Sequence, residues 1–211
     1  MTAWTEHLAR MGATLDETAR SIAFASPADE ARATETATIA VPLLHLGTIR
    51  SQGPDSAAFL HNLVSNDVKH MEADTAAWNS FNSPKGRMIA SFLVWTEEGG
   101  HALALSADIL PAFLKKFSMY VLRSKVKLAD ASAELALIGL AGPQAVAVAQ
   151  AAGAALPAED MRQAVSAAGV RCIRLEEPWA ERDYYLGVLR QQRLPTVVQR
   201  FVDTLIPREK Q

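Results

Sequence analysis

The sequence predicts an α+β fold built from two successive units, and three observations predict it. Strand-like runs alternate with single amphipathic helices from Leu43 onward. Two Gly-Pro pairs, Gly53-Pro54 and Gly142-Pro143, each end a strand-like run and open a helical one, 89 residues apart (142 minus 53). Two turn signals, Ser83-Pro84-Lys85-Gly86 and Glu97-Glu98-Gly99-Gly100, separate three apolar runs and mark consecutive hairpins.

Along the chain, residues 1–40 are Ala/Thr/Glu-rich and weakly patterned, with a short helix expected around 3–20 and a polar linker over Ser26 to Thr38. Residues 41–130 form the first unit. Leu44 to Arg50 reads as a strand, and Ala57, Leu60, Leu63 and Val64 share a helical face. Ala76–Phe81, Met88–Trp95 and His101–Leu105 read as three strands. Asp108 caps a helix whose apolar face is Ile109, Leu110, Phe113, Leu114, Phe117 and Val121, and Lys125–Leu128 closes the unit as a strand. The order β-α-β-β-β-α-β is close to a ferredoxin-like unit with one additional strand.

Residues 131–211 form the second unit. Leu135–Leu140 is a buried strand, an alanine-rich helix follows through Ala152, Arg171–Leu175 and Tyr184–Leu189 are strands, and Pro195–Leu205 is a helix. This repeat is incomplete by one strand. Either the edge is left open, or another chain covers it, or the sequence is a fragment of a longer product.

Composition narrows the function classes. With 211 residues, 49% hydrophobic and 21% charged, the chain suits one large domain or two small ones. A net charge of -2 argues against general nucleic-acid binding, and no direct DNA binding is expected, although a local basic patch is left open. Cys172 is the single cysteine, so neither an internal disulfide nor a cysteine-built zinc or iron–sulfur site is expected, which fits a cytoplasmic setting. No apolar run approaches the roughly 20 residues that span a bilayer. The N-terminus has no signal-peptide pattern, since Glu6, Arg10, Asp16 and Glu17 interrupt it.

Several residues invite a binding role beside a plainer one. Lys85 and Arg87 flank Gly86 at a hairpin tip: a solvated turn, or a cationic pair for an anionic group. Asn66 and Asp67 follow the first helix: a helix stop, or a polar ledge for a heterocycle edge. Asn82 offers the same chemistry from a strand end, and Ser106 and Asp108 read chiefly as helix caps. Trp78, Trp95, Tyr120 and Trp179 are either core or stacking residues, with core packing the better reading for Trp95. The histidines show no metal spacing; His61 and His70 are nine residues apart (70 minus 61). Neither a Gly-x-Ser-x-Gly elbow nor a dinucleotide or Walker loop occurs.

Three stretches together resemble the YgfZ / glycine-cleavage T-protein (aminomethyltransferase) superfamily. These are Gln52-Gly53-Pro54-Asp55-Ser56 with Phe59 through Val68, then Asn82-Ser83-Pro84-Lys85-Gly86-Arg87-Met88-Ile89, then Phe113 through Val126. The resemblance covers about residues 43–145 and, more weakly, extends to about 205. It implies the N-terminal part of a folate-binding domain without the family's C-terminal barrel, with tetrahydrofolate as ligand. The implied site residues are Asn66, Asp67, Asn82, Lys85, Gly86, Arg87, Ser91, Ser106 and Asp108. In true aminomethyltransferases an Asp pair acts on the folate where this chain has Ala90 and Ser91, so methylene transfer is not expected. YgfZ-type proteins also carry a Lys-Gly-Cys-Tyr motif that this chain lacks; Cys172 does not match it. The implied role is iron–sulfur protein maintenance or tRNA modification, with an iron–sulfur protein as client. A folate-dependent aminomethyltransferase or demethylase, and a family-derived interaction protein without ligand, stand as alternatives.

Overall fold

The structure, a computed structural model, describes residues 3–16, 18, 20–167, 170–175 and 184–190. The chain divides into two compact units: His45–Ser132, and Met1–Leu44 together with Ala133–Gln211. Each is built around its own five-stranded antiparallel sheet.

At the N-terminus, helix α1 spans Ala3–Arg10, strands β1 (Thr14–Asp16) and β2 (Ser21–Ala23) form a small hairpin, and α2 spans Pro27–Thr36. The helix expected over 3–20 therefore stops at Arg10, where Gly12 takes a φ of 92°. The stretch expected as a linker is helical. Ser26 caps it, its hydroxyl oxygen accepting from the Asp29 N–H, and Pro27 occupies the first turn.

The remaining elements are β3 (Ile39–Pro42), β4 (Leu46–Gln52), α3 (Ser56–His61), β5 (Ala76–Asn82), β6 (Met88–Glu97), β7 (Gly100–Ser106), α4 (Leu110–Ser118) and β8 (Lys127–Asp130). Then follow β9 (Leu135–Ala141), α5 (Ala145–Ala151), β10 (Gln163–Val165), β11 (Arg171–Leu175) and β12 (Tyr184–Arg190). The helix expected over Pro195–Leu205 lies outside the described residues.

The sheet of the first unit runs β5-β6-β7-β4-β8, and that of the second runs β10-β11-β12-β9-β3. The two orders correspond strand for strand, with β3 in the place that β8 occupies. The sequence leaves the second unit one strand short, and the structure adds two: β10, paired with β11, and β3, supplied from residues 39–42 and pairing Ile39 with Ala141 and Pro42 with Ile138. The pairing lies about a hundred residues away along the chain, so nothing local announces it.

The Gly-Pro pairs mark equivalent corners. Gly53 has a φ of 128°, and a Cβ there would lie 2.2 Å from the Lys125 carbonyl oxygen, on the way into β8. Gly142 has a φ of 116°, and a Cβ would lie 2.5 Å from the Ala37 carbonyl oxygen, on the way into β3. Both need glycine for conformation and for space. Gly53→Ala and Gly142→Ala should each lose about 3 kcal/mol or more in urea unfolding. Gly86→Ala, where φ is 74° but no atom crowds the Cβ, should lose only about 1 kcal/mol.

One face of the first sheet packs on α3 and α4 through Ile49, Phe81, Phe92, Leu103, Phe59, Phe113 and Phe117, all buried. In the second unit Ile138 and Leu140 of β9 pack with Val148 and Ala149 of α5 and with Trp4 and Leu8 of α1.

Candidate functional site

The hairpin joining β5 and β6 closes on itself. The Ser83 N–H donates to the Arg87 carbonyl (2.8 Å), the Gly86 N–H to the Ser83 carbonyl (2.9 Å), and the Arg87 N–H to the Ser83 hydroxyl (3.0 Å). Gly86 supplies the positive φ of 74° that this turn needs. Lys85 and Arg87 project from the tip, exposed, and neither side chain makes an ion pair among the described residues.

Below the tip, alternation decides which side chains share a face. Phe81 and Ala90 are paired and point into the aromatic core, Ala90 being 3% exposed. Ser80 and Ser91 are the next pair and take the opposite face. A register shift between Phe81 and Asn82 sets Asn82 opposite Met88, and the Ser80 hydroxyl reaches Asn82 Oδ1 at 3.5 Å. On the other side of β6, Leu93 pairs with Ala104. The β6–β7 ladder ends at that pair, two residues short of Ser91 and Ser106, and Ser106 pairs instead with Leu46 of β4. Ser106 donates its hydroxyl to Asp108 Oδ1 (2.6 Å), which also accepts the Ile109 N–H (2.8 Å). Asp108 therefore holds the turn into α4 without capping it; no side chain caps that helix.

By alternation Asn82, Ser91 and Ser106 fall on the sheet face opposite the aromatic core. Only Ser91 of the Ala90-Ser91 pair reaches this face. The position offers a hydroxyl, and the Asp108 carboxylate is engaged locally.

Asn66 and Asp67 lie in the loop that follows α3, beside β5. Residues 64–66 run along the outer edge of β5: Val64 bridges Phe81, and the Ser65 N–H donates to the Ser80 carbonyl. The Asn66 N–H donates to Asn79 Oδ1 (2.8 Å), and its side-chain amide donates to the Trp78 carbonyl (2.6 Å). Asp67 accepts from His70 through both its backbone N–H (3.1 Å) and Nδ1 (2.7 Å), and His61 Nδ1 lies 3.1 Å away. The His70 hydrogen bonds hold the Asp67 carboxyl down at about 2. This ledge is roughly 10 Å from the hairpin end, three strand residues on, and its polar groups are spent on the sheet edge and the two histidines. Trp78 is 52% exposed at this edge, whereas Trp95 is fully buried and donates its indole N–H to Glu97 (3.3 Å). Trp179 lies outside the described residues.

Sequence reasoning did not single out Asn79 or Ser80. Asn79 is 4% exposed, and its Nδ2 has no hydrogen-bond partner among the described residues. The signal was two polar residues interrupting an apolar strand run. Nor did it find the knot of Ser51, Ser56 and His101: Ser56 Oγ lies 2.9 Å from His101 Nδ1 and 2.8 Å from Ser51 Oγ. Burial pushes the His101 imidazole below its ordinary value, so it stays neutral. No described carboxylate joins the knot, which pins α3 to β4 and β7 and is no triad. Among the described residues no group of His, Cys, Asp or Glu side chains is arranged to hold a metal ion. Cys172 is buried, and burial pushes its thiol up to about 12, so it carries no thiolate chemistry. No helix among the described residues is long and apolar enough to cross a membrane.

A sheet-and-helix unit of this kind defines the class. The chain belongs to the GCVT N-terminal domain family, whose model matches residues 3–175. Among curated relatives, it is 35% identical over 106 residues to the mitochondrial iron-sulfur cluster assembly factor IBA57 homolog of Mycosarcoma maydis, covering 43% of this chain and 26% of that protein. It is 30% identical over 108 residues to the tRNA-modifying protein YgfZ of Vibrio vulnificus, covering 51% and 33%. It is 30% identical over 107 residues to the aminomethyltransferase of Shouchella clausii, covering 50% and 29%. The match therefore spans a third or less of each of these relatives. In fold, the chain is similar to the glycine cleavage system aminomethyltransferase T of Bartonella henselae, with a TM-score of 0.77 and 16% identity over 95% of this chain and 56% of that one.

Proposed function

We propose that this chain binds tetrahydrofolate on the polar end of the His45–Ser132 sheet and does not itself transfer a one-carbon group. The observation that carries the reading is Ser91, the one residue of the Ala90-Ser91 pair on that face, which alternation gives also to Asn82 and Ser106. Hydroxyls and an amide can hydrogen-bond the donor and acceptor edge of a pteridine in either sense. A hydroxyl cannot stand in for the carboxylate that transfer chemistry at the folate needs. Lys85 and Arg87 are free to meet the anionic glutamate tail. Asn66 and Asp67 enter the proposal as the loop beside β5, reached by ligand only if their local partners let go.

The two-sided kinship supports a role in maintaining iron–sulfur proteins or in tRNA modification, as in the relatives that bear those names, with an iron–sulfur protein as client.

Calorimetric titration with mono- and triglutamyl tetrahydrofolate tests the proposal. Removing the pair in Lys85→Ala/Arg87→Ala should weaken triglutamate binding about tenfold, the worth of one charge-assisted hydrogen bond, and monoglutamate binding less. Equal affinity in the variant and the parent would remove the tip from the site. Sustained methylene transfer to tetrahydrofolate would replace this reading with an aminomethyltransferase.

A further inference from the structure

We propose that the loop following α4 is a docking surface for a partner protein's acidic peptide segment carrying an apolar anchor residue.

Leu122 carries two penalties at once. It is 88% exposed, and its φ is 42°, in the left-handed region that disfavours a leucine. Asn or Gly would sit there with less strain and less apolar surface in water. Its neighbours Met119 and Tyr120 are 68% and 37% exposed. With Asp55, Arg123 and Ser124, Tyr120 and Leu122 line an open groove of about 730 Å³. The loop is fixed in place: the Lys125 N–H donates to Asp55 Oδ2 (2.6 Å), and the Tyr120 ring meets Phe81 edge-on at 5.6 Å.

Charge complementarity names the occupant. Between Ile109 and Ala129 the charged residues are Lys115, Lys116, Arg123, Lys125 and Lys127, all positive, in a chain whose net charge is -2. None of the five makes an ion pair among the described residues. An anionic partner is therefore attracted here. The apolar residues choose among anions. Tyr120 has its ring committed to Phe81, so it is a poor platform for stacking bases. Tyr120 and Leu122 share the open groove with the carboxylate of Asp55, which a surface of anionic lipid headgroups would meet across its whole width and a peptide only at chosen side chains. A peptide side chain fits such a groove while flanking Asp or Glu residues meet the cations.

Selection of displayed random 12-residue peptides on the full chain, with counter-selection on Arg123→Glu, tests this. Selected peptides are then measured by fluorescence anisotropy. Enrichment of Asp and Glu around a large apolar residue is expected. Affinity should fall at least tenfold in Arg123→Glu and in Leu122→Asn, while the thermal midpoint of Leu122→Asn stays equal or rises. The proposal is overturned if no peptide is enriched, if the enriched ones are not acidic, or if binding ignores both substitutions. It is equally overturned if Leu122→Asn melts lower. Tighter binding of a 20-nucleotide single-stranded RNA or of phosphatidylserine vesicles at the same residues, or self-association that Leu122→Asn abolishes, would assign the surface to those partners instead.

Discussion

A chain lacking residues 1–44 should fail to fold its second sheet while His45–Ser132 folds as before. The deletion removes β3, which forms the outer ladder on β9 from Ile39 to Pro42, and with it the Leu43 N–H that donates to the Leu137 carbonyl. It also removes the Thr38 hydroxyl that accepts the Gln144 N–H at the start of α5. Most costly is the loss of Trp4 and Leu8, which are 4% and 2% exposed in the core against Val148 and Ala149. Truncating a buried Trp or Leu costs about 3–5 and about 2–5 kcal/mol respectively. Together these approach the whole stability of a small domain, about 5–15 kcal/mol, before the opened edge of β9 is counted. Hydrogen exchange should therefore find β9, β11 and β12 unprotected in the deleted chain, and β4 through β8 protected as in the parent. Retained protection across Leu135–Ala141 would mean that the N-terminal segment only decorates that sheet. Trp4→Ala alone should reproduce much of the effect.

Why β3 escaped a reading of the sequence follows from the same geometry. Ile39-Ala40-Val41-Pro42 is four residues long and ends in proline, which suits an edge strand but reads as the end of a linker. α2 was legible in principle, since Ser26-Pro27-Ala28-Asp29 is a capped start; its lack of any buried residue hid it. β11, by contrast, is legible residue for residue at Arg171–Leu175, because Cys172 and Ile173 form a short apolar core flanked by arginines. At the site, Gly86 made the hairpin tip visible, since its turn needs a positive φ. The Ser80–Ser91 pair and the place of Asn82 opposite Met88 depend on strand pairing and on a bulge, which a one-dimensional pattern does not contain. The approach of His61 and His70, nine residues apart, likewise depends on how the chain leaves α3 and on Asp67 gathering both rings.

Phe117→Ala should be the most damaging single core substitution in the first unit, and its damage should reach the proposed folate site. Phe117 is fully buried, with ring centroids 5.2 Å from Phe59, 5.3 Å from Phe81 and 4.9 Å from Phe113. The first two contacts are edge-on, an arrangement worth more than the buried area alone. Losing the ring costs about 3–5 kcal/mol, since three fixed rings cannot collapse into the space it leaves. At about 2–4 °C per kcal/mol for a chain of this size, the melting midpoint should fall by about 10 °C. Phe81 is the link to function. It lies between Ser80 and Asn82 on β5, at the register shift that turns Asn82 to the polar face. With Phe117 gone, Phe81 loses the nearest of its three ring partners, Phe113 and Tyr120 remaining, and the shift is anchored less firmly. Tetrahydrofolate affinity should then drop in Phe117→Ala even below the melting transition, though no polar group has been touched. Phe117→Leu keeps most of the volume and should recover most of both. If Phe117→Ala lowers the midpoint but leaves affinity as in the parent, the aromatic core does not position Asn82 for the ligand, and Asn82 would have to be held by the hairpin tip alone.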